Sequence, residues 1–155
     1  MNQLSFLLIF PSLFMIHEME EIILMPKFVP SKLEKNIIKD FYTPFKFNVV
    51  VLEEFLLLLT ILMFSIKYNN FMFYDTVIIA YIYHIFVHLF QTLLLKSYSP
   101  GLLSGIISSL YCISMMYPYL NHHHYLYLYS LLTLIIIMLN ILISFILLNT
   151  VFSRK

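Results

Sequence analysis

Apolar residues in this chain gather into runs near 5–25, 47–66, 72–95, 101–119 and 125–150. A helix needs about 20 residues, at about 1.5 Å each, to cross the hydrocarbon core of a bilayer. Each run is close to that length. The mean hydropathy is +0.90 and 11% of residues are charged, where a soluble domain carries about a quarter. The solvent for most of the chain is therefore lipid. Backbone groups in lipid must be satisfied internally, which leaves helices or closed barrels, and the run lengths choose helices. The expected fold is all-α: one domain, 1–155, built as a polytopic membrane bundle of five transmembrane helices.

Positive charge gives the expected direction. Lys27, Lys32, Lys35, Lys39 and Lys46 lie in or beside the first connection, Lys96 in the third, and Arg154 and Lys155 in the tail. Only Lys67 falls on the other side. The expectation is an N-terminus outside and a C-terminus in the cytoplasm, as a multi-pass protein of the cell membrane. The stretch 26–46 mixes Lys with Phe, Val and Ile, as expected of an amphipathic loop on the inner surface. Residues 1–25 lack a basic start and carry acids in their apolar part, so they read as a span and not as a cleaved leader. Pro11 should disturb this span, which a neighbouring helix can offset by satisfying the freed carbonyl. A net charge of +1, with no basic patch beyond one loop, argues against nucleic acid as a partner. The single cysteine, Cys112, excludes an internal disulfide framework and a thiolate cage.

Five of the eight acidic residues nonetheless fall inside expected spans: Glu18, Glu20, Glu21, Glu53 and Glu54. His17 stands beside the first three, and His84 and His88 lie in the third span. On insertion scales an ionisable group at membrane depth costs about 2.5–3.5 kcal/mol. These groups must take up protons, pair, or bind cations. His17, Glu20 and Glu21 are spaced i, i+3, i+4, so they share one helix face. His84, His88 and Gln91 do the same at i, i+4, i+7. Glu53 and Glu54 are about 100° apart, and Glu18 points away from the first set. Counted from the cytoplasmic ends of antiparallel helices, all three groups lie roughly 6–17 Å deep. One layer, reached from three helices, implies one site in the inner-leaflet half.

These residues carry a resemblance. His17, Glu20 and Glu21 form a His-x-x-Glu-Glu motif, and Tyr98, Pro100 and Gly101 form Tyr-x-Pro-Gly in "YSPG". Between them, "HIFVHLFQTLLLKSYSPG" leads from a histidine pair to that turn. In this order the motifs resemble the HxxEE family of small membrane proteins, a likeness that covers about residues 10 to 105. The family's later histidine then falls on His88, with His84 one turn before it. Glu53 and Glu54 match an acidic position on the second helix. The resemblance implies a membrane protein of uncharacterised function.

The leading reading is a metal site. Imidazole with carboxylate suits zinc, iron or manganese, and the expected ligands are His17, Glu20, Glu21, Glu53, His84 and His88, around one or two ions. Di-metal bundles use Glu-x-x-His; the order here is reversed, so the analogy reaches only ligand type. Glu20, Glu53 or Glu54 could act as the proton-transferring catalytic residue. A lipid or isoprenoid, hydrolysed or oxidised, fits a site reached from the bilayer. A zincin scheme with His17, Glu21 and a Glu18 base fails because Glu stands where the second His belongs. The arginine that follows the Glu pair in glutamate intramembrane proteases is missing too. Three alternatives stand beside the metal enzyme: a metal-free His/Glu acid–base lipid isomerase, a proton-coupled transporter, and a polar network that only packs helices. "YSPG" reads as a structural turn opening the fourth helix. His122, His123 and His124 read as a solvated loop, and Asn140 and Asn149 as interhelical hydrogen-bonders. A homodimer is compatible with so small a bundle.

Overall fold

The computed structural model describes residues 3–32, 42–118 and 124–152. Five helices follow in order: α1 (Gln3–Lys32), α2 (Pro44–Tyr68), α3 (Met72–Leu95), α4 (Leu102–Met116) and α5 (His124–Phe152). No strand occurs among the described residues. α2, α3 and α5 are long and apolar enough to cross a membrane. α1 is the longest helix at 30 residues, but the acids and His17 interrupt its apolar run. α4 has 15 residues and reaches about 22 Å, short of the roughly 30 Å hydrocarbon core.

Local chemistry explains most of the boundaries. Thr43 caps α2 by accepting from the Lys46 N–H at 3.2 Å, and Pro44 takes the first helical position, where its missing N–H does no harm. Asn69 closes α2 in the left-handed region at φ 48°, and the Asn70 side chain accepts from the Met72 N–H to start α3. Lys96 closes α3 in the same left-handed conformation at φ 46°. α1 continues through Pro26 and Pro30, although 26–46 is expected as a loop. These two prolines are four apart, and each lacks the N–H that would bond the carbonyl four residues before it, Ile22 for Pro26 and Pro26 for Pro30. Residues 33–41, the rest of that expected loop, lie outside the described residues.

Neighbouring helices pack in a closed circuit: α1 against α2, α2 against α5, α5 against α3, α3 against α4, and α4 back against α1. Phe6, Leu7, Phe10, Tyr74, Ile78, Tyr81 and Cys112 belong to the core inside it. Phe10 meets Tyr74 and Tyr81 edge-on, with ring centroids 6.0 and 5.4 Å apart. The outer surface is apolar as well. Phe86, Phe90, Leu93 and Leu94 of α3 and Leu128, Ile136 and Leu147 of α5 are all more than half exposed. In water such a surface would be an aggregation liability; against lipid it is the expected exterior.

Pro11 shows how the bundle handles a broken ladder. Lacking an N–H, it leaves the Leu7 carbonyl without its helical partner. The Tyr74 hydroxyl of α3 donates to that carbonyl at 3.0 Å, which ties α1 to α3 and fills the gap. We expect Tyr74→Phe to destabilise the bundle by about 1–2 kcal/mol. Pro11→Ala should restore most of that loss, because an alanine there has an N–H to donate to the Leu7 carbonyl. Thermal unfolding of the two single variants and the double variant in detergent measures this cycle; additive effects would contradict the account.

Candidate functional site

α1 and α3 face each other inside the circuit, and the i, i+4 spacing on each sets two side chains toward the centre. His17 and Glu21 come from α1, His84 and His88 from α3. One ligand atom from each of these four lies within 4.8 Å of all the others. His17 is fully buried, and Glu21 and His88 are buried as well. The three imidazoles meet near perpendicular, with His17 at 5.6 Å from His84 and 5.3 Å from His88, and His84 at 4.4 Å from His88 between centroids. Tyr81 closes the site on its inner side, edge-on to His17 at 5.4 Å. Its hydroxyl is held by Ser108 at 2.6 Å.

The surroundings decide which ring nitrogens point inward as acceptors. The Gly101 carbonyl can only accept, so the His17 Nδ1–H donates to it at 2.9 Å. That leaves the His17 Nε2 lone pair facing the cluster. Ser99 Oγ donates to Gln91 Oε1 at 3.0 Å. It therefore accepts from the His88 Nδ1–H at 3.2 Å, and the His88 Nε2 lone pair also turns inward. That nitrogen lies 2.9 Å from Glu21 Oε1 and 2.8 Å from His84 Nε2. His17 Nε2 is 3.5 Å from the same carboxylate oxygen. Neither His17 Nε2 nor Glu21 Oε1 has a hydrogen-bond partner. Close acceptors without donors require shared protons or a cation. Imidazoles that donate Nδ1–H outward and present Nε2 inward are arranged as metal ligands are. The residues present therefore fit a metal ion, and His17, Glu21, His84 and His88 could hold one.

The connection from α3 to α4 is built around His17. The chain has two glycines, and both press on this side chain. Gly101 sits at φ +82°, and a Cβ there would come within 2.5 Å of His17 Cε1 and 2.8 Å of Glu21 Oε1. A Cβ on Gly105 would meet Ile85 at 2.5 Å and His17 Nδ1 at 3.2 Å. As the residue before α4, Gly101 has no side chain to cap the helix. Glu20 supplies that function from α1. Its Oε2 accepts from the Ser104 N–H at 2.8 Å, and its Oε1 accepts from the Tyr98 hydroxyl. Tyr98 in turn accepts from the Leu103 N–H at 3.0 Å. Two of the free N–H groups at the start of α4 are satisfied this way, with a carboxylate at the positive end of the helix. Burial and the bond to Glu20 hold the Tyr98 phenol above its ordinary pKa, so it stays a donor.

The expected site residues thus divide into three sets. His17, Glu21, His84 and His88 come together. Glu20, expected as a ligand or proton carrier, turns to the α4 terminus with Tyr98. Glu53 and Glu54 stand apart from the four: the Asn140 amide of α5 donates to Glu53 Oε1 at 3.3 Å and to Glu54 Oε1 at 2.8 Å. Pro100 and Gly101 lie in the turn before α4, and Gly101 is also part of the site's wall. Ser99, Ser104 and Gly105 are not among the expected residues. The usable signal is that the only two glycines lie four apart at the start of one helix. His122 and His123 lie outside the described residues, and His124 is described only as the first residue of α5.

Fold and site together define an all-helical protein with three helices long and apolar enough to cross a membrane and an interior cluster of three histidines and a glutamate. The chain belongs to the HXXEE-motif family, whose description is "Protein of unknown function with HXXEE motif" and which matches residues 8–117. No curated protein and no solved structure matches the chain.

Glu20→Ala should lower stability by about 1–2 kcal/mol through the lost cap. Gly101→Ala should lower it further, because an alanine must adopt a left-handed conformation and displace His17. Thermal melts in detergent check the order. Equal melts for Gly101→Ala and the parent chain would contradict the packing described.

Proposed function

We propose that this chain is a metal-dependent membrane enzyme that acts on a lipid or isoprenoid substrate by hydrolysis or oxidation. The observation that carries this reading is the inward set of acceptors: the His17 and His88 Nε2 lone pairs and the Glu21 carboxylate, joined by His84. Zinc, iron or manganese suits such a nitrogen–oxygen set, and the lack of a cysteine among the four argues against a soft metal. A bound ion of this kind supplies Lewis acidity, or redox chemistry if it is iron or manganese. The protein's own groups do the rest. Gly101 and Ser99 fix the imidazole tautomers, and Tyr81 with the Phe10 layer excludes water from one side. Glu21 is the carboxylate nearest the centre and can hold a proton at Oε1. Glu20 is engaged with α4, so its part is to hold Gly101, and thereby His17, in register.

The same reading places the site in the cytoplasmic half of the cell membrane, with five crossings, the N-terminus outside and the C-terminus inside. Support comes from the eight basic residues assigned to one side against Lys67 on the other, and from Lys96 at the end of α3 nearest His88. A second reading rests on the 2.9 Å contact between His88 and Glu21: a metal-free acid and base for lipid isomerisation.

Elemental analysis of detergent-purified protein separates the two. The tag must be removable and free of histidine, and "NHHHY" must stay intact in every variant. Zinc, iron or manganese should be present at about one equivalent and fall at least tenfold in His17→Ala with His88→Ala. The Glu20→Gln variant should keep its metal. Protein that stays metal-free after metals are added back would overturn the metal reading and leave the acid–base one.

A further inference from the structure

A cavity of about 690 Å³ lies between α2, α3 and α5, at the end of the bundle where Asn69 and Asn70 turn the chain from α2 into α3. Thr76 in its wall precedes His84 by eight residues, about 12 Å along α3, so the cavity is separate from the histidine cluster. Its size falls within the roughly 300–1,000 Å³ of small-molecule sites. Phe64, Phe73 and Ile136 line it and are also exposed on the apolar exterior, so it opens on the surface that lipid would cover. Three helices each put one hydroxyl on its wall: Ser65 of α2, Thr76 of α3 and Thr133 of α5. Ser65 stands three residues before the end of α2 and Thr76 four after the start of α3, so the antiparallel turn sets them at one height. The three residues are only 5%, 3% and 8% exposed. A helical hydroxyl at depth usually donates back to a carbonyl three or four residues earlier, as Thr60 does to Leu56 and Ser130 to Leu126. Thr76 does the same, donating to the Phe73 carbonyl at 2.6 Å. Ser65 and Thr133 do not. Among the described residues no hydrogen bond uses either hydroxyl. Two unused donors on an otherwise apolar wall leave hydrogen-bonding capacity for a ligand.

We propose that this cavity binds a neutral lipid alcohol, its hydroxyl held by Ser65, Thr76 and Thr133 and its hydrocarbon chain laid along Phe64, Phe73 and Ile136. The hydroxyls on the wall select the polar group. Thr76 has given its one proton to Phe73, so it can only accept, whereas Ser65 and Thr133 are free to donate. A ligand group that meets both demands must donate and accept at once. An alcohol does so; a ketone, an ester or an ether does not. The described residues that line the cavity carry no charge, so nothing there balances a carboxylate or a phosphate. The aromatic and aliphatic walls suit a hydrocarbon chain, with a few placed polar groups fixing its orientation, as in other small-molecule sites. The site uses no residue of the histidine cluster, so it stands or falls independently of the metal enzyme reading.

Photolabelling of the full-length chain in detergent with a diazirine-bearing hexadecanol tests this, with the labelled residues located by peptide mass spectrometry. Two matched probes carry the same chain as a methyl ether and as a fatty acid. The alcohol should label residues beside the cavity on α2, α3 or α5, saturably, and bind at least tenfold more tightly than either matched probe. Ser65→Ala with Thr133→Val removes both donors with little change of shape. It should weaken alcohol binding at least tenfold, to the level of the ether. Thr133→Ser keeps a hydroxyl and should keep the affinity, which separates a lost donor from a lost fold. Labelling that does not saturate, that maps to α1 or α4, that treats alcohol and ether alike, or that survives the double substitution would overturn the proposal.

Discussion

The hydrogen bond from His17 Nδ1 to the Gly101 carbonyl is the interaction on which the rest of the site depends. It is made inside the bundle, so losing it strands the His17 N–H, while the Gly101 carbonyl keeps its bond from the Gly105 N–H at 2.9 Å. It joins the middle of α1 to the first residue before α4 and so sets how deep one helix sits against the other. It also fixes the His17 tautomer and turns the other ring nitrogen toward Glu21. Each remaining piece of the two sequence motifs supports this contact. Glycine at 101 gives the ring room, Glu20 and Tyr98 cap the helix that carries the carbonyl, and Gly105 keeps the next turn clear. The two motifs are therefore one structural unit, split by some eighty residues of chain and closed in space.

A common physical rule runs through the bundle. Where a polar group is freed inside the bundle, a side chain from another helix answers it. Tyr74 answers the carbonyl that Pro11 releases, Glu20 answers the open start of α4, and Asn140 answers Glu53 and Glu54. Lys46 answers Asn149 at 2.8 Å. Such bonds specify which helices are neighbours, since an apolar contact could be made equally well with lipid. His17 Nε2 and Glu21 Oε1 depart from the rule, as do buried oxygens of Tyr42, Asp75 and Ser109. His17 and Glu21 belong to one group of converging ligand atoms, and grouped departures of this kind are where function is expected.

Much of this is legible in the sequence, for identifiable reasons. α3 is bounded at 72–95 because Asn69–Asn70 and Lys96 punctuate both ends. His17 with Glu21, and His84 with His88, can be paired because i, i+4 spacing and equal depth leave little freedom. Membrane-crossing length is less readable: α4 is shorter than the 101–119 run, while α1 outlasts its own two C-terminal prolines. Glu20 shares a face with Glu21, and only the position of α4 decides that one caps a helix while the other enters the cluster. Depth alone assigns Glu53 and Glu54 to the histidines. Depth does not say that α5 lies behind α2, and it is Asn140 on α5 that draws them away. Ser99 is hidden for the same reason, since its role exists only once α3 and α4 are folded against each other.

The central claim is that the three imidazoles and Glu21 bind one metal ion. X-ray absorption at the edge of whichever metal co-purifies tests it most directly. The account predicts a first shell of nitrogen and oxygen at roughly 2.0–2.2 Å for a zinc ion, as in other such sites, with outer-shell scattering from imidazole rings that weakens in His84→Ala with His88→Ala. A sulfur shell, or imidazole scattering that the double variant leaves unchanged, would contradict it.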